Sequence, residues 1–323
     1  MISYRKANAE DIYPALELAL KVFMEYNAPG YEPISILNFK TDCVDNQSYI
    51  DSLKSGENVM FVALSDKKII GMAAERKGHV WLLFVDGAFH RQGIATTLMG
   101  NIVCALKLKG YDKIFLDSSP YAIPFYLNFG FSQIGEAKNK YGCIVTPMSY
   151  QPNEIWDVLD EHWNKTGRYH ERGRKMPAGD YHLVVHAWKH NGRGEWLIDR
   201  RSQTRGTSVD GKWETTGGSA IAGDDGLTAA LRETKEELGI DLNPQKATLF
   251  HRTVRQGNDG QIWLQEAWVF EWNGSIDEIS FQESETCDAM WASSEKIRNM
   301  MATGEFLSEW FYPYFDEMVE KWG

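Results

Sequence analysis

Residues 232–239 read RETKEELG, which places glutamates at 233, 236 and 237 directly before a glycine. Helical periodicity from Leu227 to Leu238 puts Leu227, Leu231 and Leu238 on one stripe with Thr234 beside them, the pattern of a face that packs inward. Glu233, Glu236 and Glu237 then fall on the opposite side, at i, i+3 and i, i+4 separations that bring their carboxylates toward one point. Local physics opposes this. Like charges at such spacing cost roughly 0.2–0.5 kcal/mol per pair, and the last turn of a helix prefers a cation to an acid by about 0.3–1 kcal/mol per charge. Arg232 and Lys235 offset only part of that. A solvated acidic face is one reading, and a set of oxygen ligands is the other. Gly217 and Gly218 upstream favour the second: an exposed backbone carbonyl there can join the carboxylates, and an all-oxygen set selects Mg²⁺ or Mn²⁺.

The longer segment GGSAIAGDDGLTAALRETKEELGI (217–240) resembles the Nudix box. That box runs glycine, five residues, an acid, seven residues, then Arg-Glu-apolar-x-Glu-Glu-x-Gly-apolar. Gly218, Arg232, Glu233, Glu236, Glu237, Gly239 and Ile240 match it in place; Asp224 stands for the usual glutamate and Thr234 for an apolar residue. The resemblance covers roughly residues 152–323. It implies an α/β/α sandwich that hydrolyses a diphosphate bond in a nucleoside diphosphate derivative, with Glu236 and Glu237 as metal ligands, Glu233 as ligand or base, and Arg232 orienting a glutamate. LIDRRSQTRG (197–206) and GKWETTGG (211–218) resemble the Nudix branch that includes isopentenyl diphosphate isomerase. That isomerase needs a cysteine near Thr216, so isomerase activity is not expected. Arg201 and Arg205 are either phosphate grips or surface charge. Glu283 and Glu285 are either a further loop acid or exposed residues. His170 and His182 read as structural histidines, and Trp213, Trp263 and Trp268 as base-stacking or half-buried sheet residues.

Upstream, DGAFHRQGIATTLM (86–99) sets a small-residue turn between the apolar strand pattern VWLLFVD (80–86) and a helix ending at Gly110. The first amides of such a helix point into the turn and form an anion site, and Gly93 and Ala95 let a diphosphate approach the main chain. With KIFLDS (113–118) and AIPFYLNFGF (122–131), this order resembles the GNAT acetyltransferase superfamily over roughly residues 1–148. The resemblance implies a twisted mixed sheet with flanking helices that binds acetyl-CoA, its pyrophosphate on the loop of Arg91, Gln92, Gly93, Ile94, Ala95 and Thr96, and an amine acceptor opposite. His90 takes the loop position where the family has Arg or Gln. Tyr126 falls where many members carry the acid that protonates the leaving thiolate, and it also reads as core. Glu75 is either a base for the amine or an exposed strand-end acid.

Two domains are therefore expected, an acetyltransferase-like one over 1–150 and a hydrolase-like one over 151–323, parted at SYQPNE (149–154). A length of 323 residues suits two α/β domains better than one. The net charge of -11 argues against nucleic acid or an anionic membrane as partners and favours bound cations and small molecules. The four cysteines (Cys43, Cys104, Cys143, Cys287) form no C-x-x-C pair, which predicts neither a zinc site nor a disulfide framework and fits a cytoplasmic protein. A rival reading treats one or both domains as sensors that bind CoA or a nucleotide without turnover.

Overall fold

In the computed structural model, which describes residues 2–140, 142–204, 206–257 and 260–323, the chain divides into two units. One is Met1–Ile155 with Tyr169–Gly173, and the other is Trp156–Arg168 with Arg174–Gly323.

The first unit begins with β1 (Ile2–Lys6) and α1 (Ile12–Tyr26), whose Ile12, Leu16, Ala19 and Phe23 recur at helical spacing and are buried. The short helices α2 (Pro33–Phe39) and α3 (Gln47–Ser55) follow. Next come β2 (Met60–Ser65), β3 (Lys68–Arg76), β4 (His79–Val85), α4 (Ile94–Leu108), β5 (Ile114–Ser118), α5 (Ile123–Phe129), β6 (Ser132–Gln133), β7 (Lys138–Lys140) and β8 (Cys143–Tyr150). They build a mixed sheet in the order β1-β2-β3-β4-β5-β8-β6, with β7 against β8. One apolar cluster packs α4 and α5 on one face, and another packs α1 and α3 on the other. The parallel pair β4–β5 is joined only at His79↔Phe115 and Val80↔Leu116. Beyond those two residues the strands part and leave a fork in the sheet.

A two-stranded sheet of β9 (Ile155–Leu159) and β10 (Lys165–Glu171) comes next. The second unit continues with β11 (Leu183–His190), β12 (Glu195–Arg201), β13 (Trp213–Glu214), β14 (Gly217–Ser219) and α6 (Gly226–Leu238). It ends with β15 (Thr248–Gln256), β16 (Ile262–Glu271), β17 (Thr286–Ser293), α7 (Ser294–Thr303) and α8 (Phe315–Trp322). The sheet runs β13-β12-β11-β16-β15, with β14 also on β11 and β17 on β12. Side-chain alternation divides its core. Val185, Ala187 and Leu197 pack with Ala229, Ala230 and Leu238 of α6. Trp188, Trp196 and Ile198 pack with Ile297, Met300, Phe315 and Met318 of α7 and α8. The result is the expected α/β/α sandwich. No helix among the described residues is long and apolar enough to cross a membrane.

Candidate functional sites

Helix α6 starts at Asp225, whose side chain accepts from the Thr228 amide, and stops at Gly239, where φ is 70°. Its buried residues are Gly226, Ala229, Ala230, Thr234, Glu237 and Leu238, which corrects the stripe expected from the sequence. Leu227 and Leu231 are only half-buried, and Glu237 turns inward rather than lying with Glu233 and Glu236. Small residues line the contact because β11 and β14 approach closely there. Thr234 is fully buried and donates to the Ala230 carbonyl at 2.8 Å, so its hydroxyl is satisfied within the helix.

The reason Glu237 faces inward lies in strands far from it in sequence. Lys189 and Asp199 continue the rows of β11 and β12 that face α6, and both are fully buried. Lys189 Nζ donates to Thr216 Oγ1 at 2.5 Å, and Thr216 Oγ1 donates to Asp199 Oδ2 at 2.6 Å. Arg201 donates to Glu214 at 2.6 Å. Glu237 interacts by charge with the cations Lys189 and Arg201 and with the acids Asp199, Glu214 and Glu233. Burial, followed by the charges of Asp199, Glu214 and Glu233, pushes its carboxyl well above the usual carboxylate range, while Lys189 pulls the other way. Burial pushes Lys189 down to about 8, against Asp199, Glu237 and Glu214. The loop after β16 completes this end of the helix: the Ser280 and Gln282 amides donate to the carbonyls of Leu238 and Glu237.

Glu233 and Glu236 meet elsewhere, on Arg232. Its Nη1 lies 3.0 Å from an oxygen of each, its Nε is 2.9 Å from Asp224, and its Nη2 donates to the Ser219 carbonyl at 3.1 Å. Burial opposes the charge on Arg232, but Glu233, Asp224 and Glu236 together hold the guanidinium above its ordinary value. Asp224 is therefore part of the loop's structure through Arg232. The Glu233 carboxyl lies over the open face of Gly218, where a Cβ would fall 2.4 Å from it. Gly217 sits in β14, in register with His186.

Among the described residues no three acid, histidine or cysteine side chains are grouped to hold one ion, so the expected convergence of Glu233, Glu236 and Glu237 is not formed in this arrangement. The donor chemistry, carboxylates with Glu233 against Gly218, suits a hard divalent cation. Glu236 is 52% exposed and Glu233 14%, so Glu236 leaves Arg232 at little cost. Arg201 is engaged by Glu214, Arg205 lies outside the described residues, Glu283 is exposed and Glu285 half-buried. His182 stacks on Trp156 at 4.1 Å, a structural role.

In the first unit, Asp86 ends β4 and accepts from Lys21 Nζ at 2.9 Å and from the Ala88 amide at 3.1 Å, which fixes the entry of the loop. Arg91 and Gly93 have φ of 60° and 78°, so the chain turns sharply into α4 and leaves the amides of its first turn without helical partners. A Cβ at Gly93 would meet no protein atom within 4 Å. The loop opens onto a cavity of about 880 Å³ lined by Arg91, Gly93, Ile94, Ala95 and Thr96 but not by Gln92. The His90 ring is tied to the Val85 carbonyl at 2.9 Å.

Tyr126 also lines that cavity, with 8% of its surface exposed and its ring edge-on to Phe125 and Phe131. Burial raises its hydroxyl pKa and keeps the phenol protonated. Glu75 is a correction. It is 1% exposed, and its oxygens accept from Lys109 Nζ at 2.6 Å and from the amides of Val59 and Gly78 at 3.1 Å. A carboxylate so occupied ties three chain segments together and is neither an exposed acid nor a base facing the cavity.

Comparison with known proteins agrees with both readings. Residues 180–312 match the NUDIX domain model, and residues 27–152 match the acetyltransferase (GNAT) domain model. An uncharacterised Nudix hydrolase of Listeria monocytogenes is 32% identical over 165 residues, which are 50% of this chain and 90% of that protein. The chain belongs to the Nudix hydrolases. A second such hydrolase, from Listeria innocua, is 33% identical over the same shares. N-acetyltransferase 8 of Homo sapiens is 29% identical over 111 residues, 30% of this chain and 49% of that protein. A GNAT acetyltransferase domain is thus fused to a Nudix hydrolase domain in one chain. Within the Nudix domain, sequence reading located α6 and its acids but missed Lys189 and Asp199. Their only sequence signal was a charged residue on the inward row of an otherwise apolar strand.

Proposed function

We propose that this chain is a bifunctional enzyme, with a Nudix hydrolase over residues 151–323 that cleaves a diphosphate bond in a nucleoside diphosphate derivative and an acetyl-CoA-dependent N-acetyltransferase over residues 1–150. Glu233, Glu236 and Glu237 with the Gly217 carbonyl would hold Mg²⁺ or Mn²⁺. When bound, such an ion neutralises phosphate charge and lowers the pKa of an attacking water. The chain's own contribution is to keep the acids in place. Arg232 holds Glu233, which lies against Gly218, and Glu236, and Lys189 stands as counter-charge to the buried Glu237. The observation that carries the hydrolase reading is the burial of Glu237 among like charges, an arrangement that gains when a cation is added.

For the N-terminal unit, the support is the loop Arg91–Thr96 opening onto the cavity at the β4–β5 fork. The amides of Ile94, Ala95 and Thr96 would receive the pyrophosphate of acetyl-CoA, and the protonated Tyr126 phenol is the acid for the leaving thiolate. The net charge of -11 disfavours nucleic acid or an anionic membrane as partner. A screen of nucleoside diphosphate derivatives with and without Mg²⁺, scored by phosphate-containing products, tests the hydrolase. Acetyl-CoA turnover with amines, run beside acetyl-CoA binding, separates an acetyltransferase from a CoA sensor: binding without thiol release from any amine would leave the sensor reading in its place.

A further inference from the structure

The cavity of the N-terminal unit extends well past the phosphate loop. Strand β4 has seven residues, so its ends lie about 20 Å apart. The loop follows Val85 at one end. At the other end Arg76, the last residue of β3, pairs with His79 beside the closed end of the fork. An extended CoA arm anchored on the loop would therefore run along the fork toward Arg76.

Arg76 lines the cavity and is half-buried. Its guanidinium lies 5.4 Å from the Tyr49 ring centroid and 5.1 Å from that of Trp81. Among the described residues it has no carboxylate within ion-pair distance, whereas Lys140 in the same lining is held by Asp117 at 2.7 Å. A partly desolvated cation kept between two rings and given no counter-ion is a site for an anionic group of a ligand. Asp42 lines the same cavity. A cation without a carboxylate partner and an acid in one lining suit a ligand carrying both a carboxylate and an ammonium. The adjoining wall is aromatic: Phe39 is stacked on Phe23 at 4.0 Å and meets Phe84 edge-on at 5.8 Å.

We propose that the acetyl acceptor is an amino acid with a large apolar or aromatic side chain, its carboxylate bound by Arg76 and its side chain against Phe39, Phe84 and Trp81. This inference rests on the acetyltransferase reading. In the transfer, the deprotonated amine forms a C–N bond to the acetyl carbon, the C–S bond breaks with its electron pair on sulfur, and one proton passes from nitrogen to sulfur. The products are the N-acetyl amino acid and free CoA.

The test is calorimetry on the full chain saturated with CoA, using two matched pairs of probes: L-phenylalanine with 2-phenylethylamine, and L-leucine with 3-methylbutylamine. The amino acid of at least one pair is expected to bind about tenfold or more tighter than its decarboxylated partner, as loss of a charge-assisted contact implies. Arg76→Gln should collapse that gap, and Arg76→Lys should retain part of it. Equal binding within both pairs, a gap that survives Arg76→Gln, or no binding by any probe overturns the proposal. The wild-type comparison stands even if Arg76→Gln fails to fold. Acetyl-CoA titration and thiol release on the same samples judge the underlying reading: amino-acid binding without thiol release keeps the Arg76 subsite and removes acetyl transfer.

Discussion

In the proposed readings, the two halves of this chain meet phosphate chemistry with different materials. In the Nudix domain the assigned groups are charged side chains, and Glu237 lies under α6 with two other acids and two cations. In the GNAT domain the phosphate loop is mostly backbone, a turn with positive φ at Arg91 and Gly93 that bares the first amides of α4. Backbone amides carry no net charge, so they hold an anion without a buried counter-charge. A cation site has to store negative charge before its ion arrives, and the protein must compensate that charge elsewhere. In the proposed cation site Lys189 and Arg201 would provide that compensation, and Asp199 and Thr216 fix Lys189 in place.

The contrast predicts unequal sensitivity to single changes. Glu237→Gln should lower metal-dependent diphosphate hydrolysis by more than the roughly 100-fold typical of supporting residues around a metal, with acetyl-CoA binding unaltered; retention of hydrolysis would remove Glu237 from the site. Lys189→Met leaves buried acids uncompensated and should cost about 3–5 kcal/mol of stability, read by urea unfolding of the Nudix domain. A loss under 1 kcal/mol would show that the acids do not need Lys189. Gly93→Val forces a β-branched residue into the left-handed region, a strain of about 1–2 kcal/mol. It should weaken acetyl-CoA binding in calorimetry while hydrolysis stays the same, and unchanged CoA affinity would sink the loop assignment.

A pH-dependent effect concerns His186, whose Nδ1 is 2.7 Å from the Tyr314 hydroxyl. Burial, with some repulsion from Arg255, depresses its pKa to about 3 from an ordinary 6.5. Between those values the unfolded chain binds a proton that the folded chain does not. The stability contribution is therefore present above pH 6.5 and lost as pH falls, by at most about 1.4 kcal/mol per pH unit. His186→Gln should flatten the fall in unfolding free energy between pH 6.5 and 4; an unchanged slope would place the acid sensitivity elsewhere.

Much of this molecule is legible in the chain. The periodicity of α1, the strand pattern of 80–86, the turn at Gly93 and the glutamates of α6 all depend on residues near one another in sequence, whose spacing fixes which of them share a face. Three readings failed or fell short for one reason. Glu75 looked exposed at a strand end and is buried because Lys109 and two amides from other segments reach it. Leu227 and Leu231 looked like the inward stripe, but the close approach of β11 and β14 selects the alanines. Glu237 looked like its neighbours until β11 and β12 supplied Lys189 and Asp199 beneath it.

The chain alone shows that one half carries a Nudix box and the other the glycine turn proposed as a phosphate loop, because both are local motifs made by residues within a few turns of each other. Which acids are buried, which cation compensates them and that Arg76 has no carboxylate partner among the described residues follow from the folded arrangement, because charge burial depends on what distant strands bring into contact.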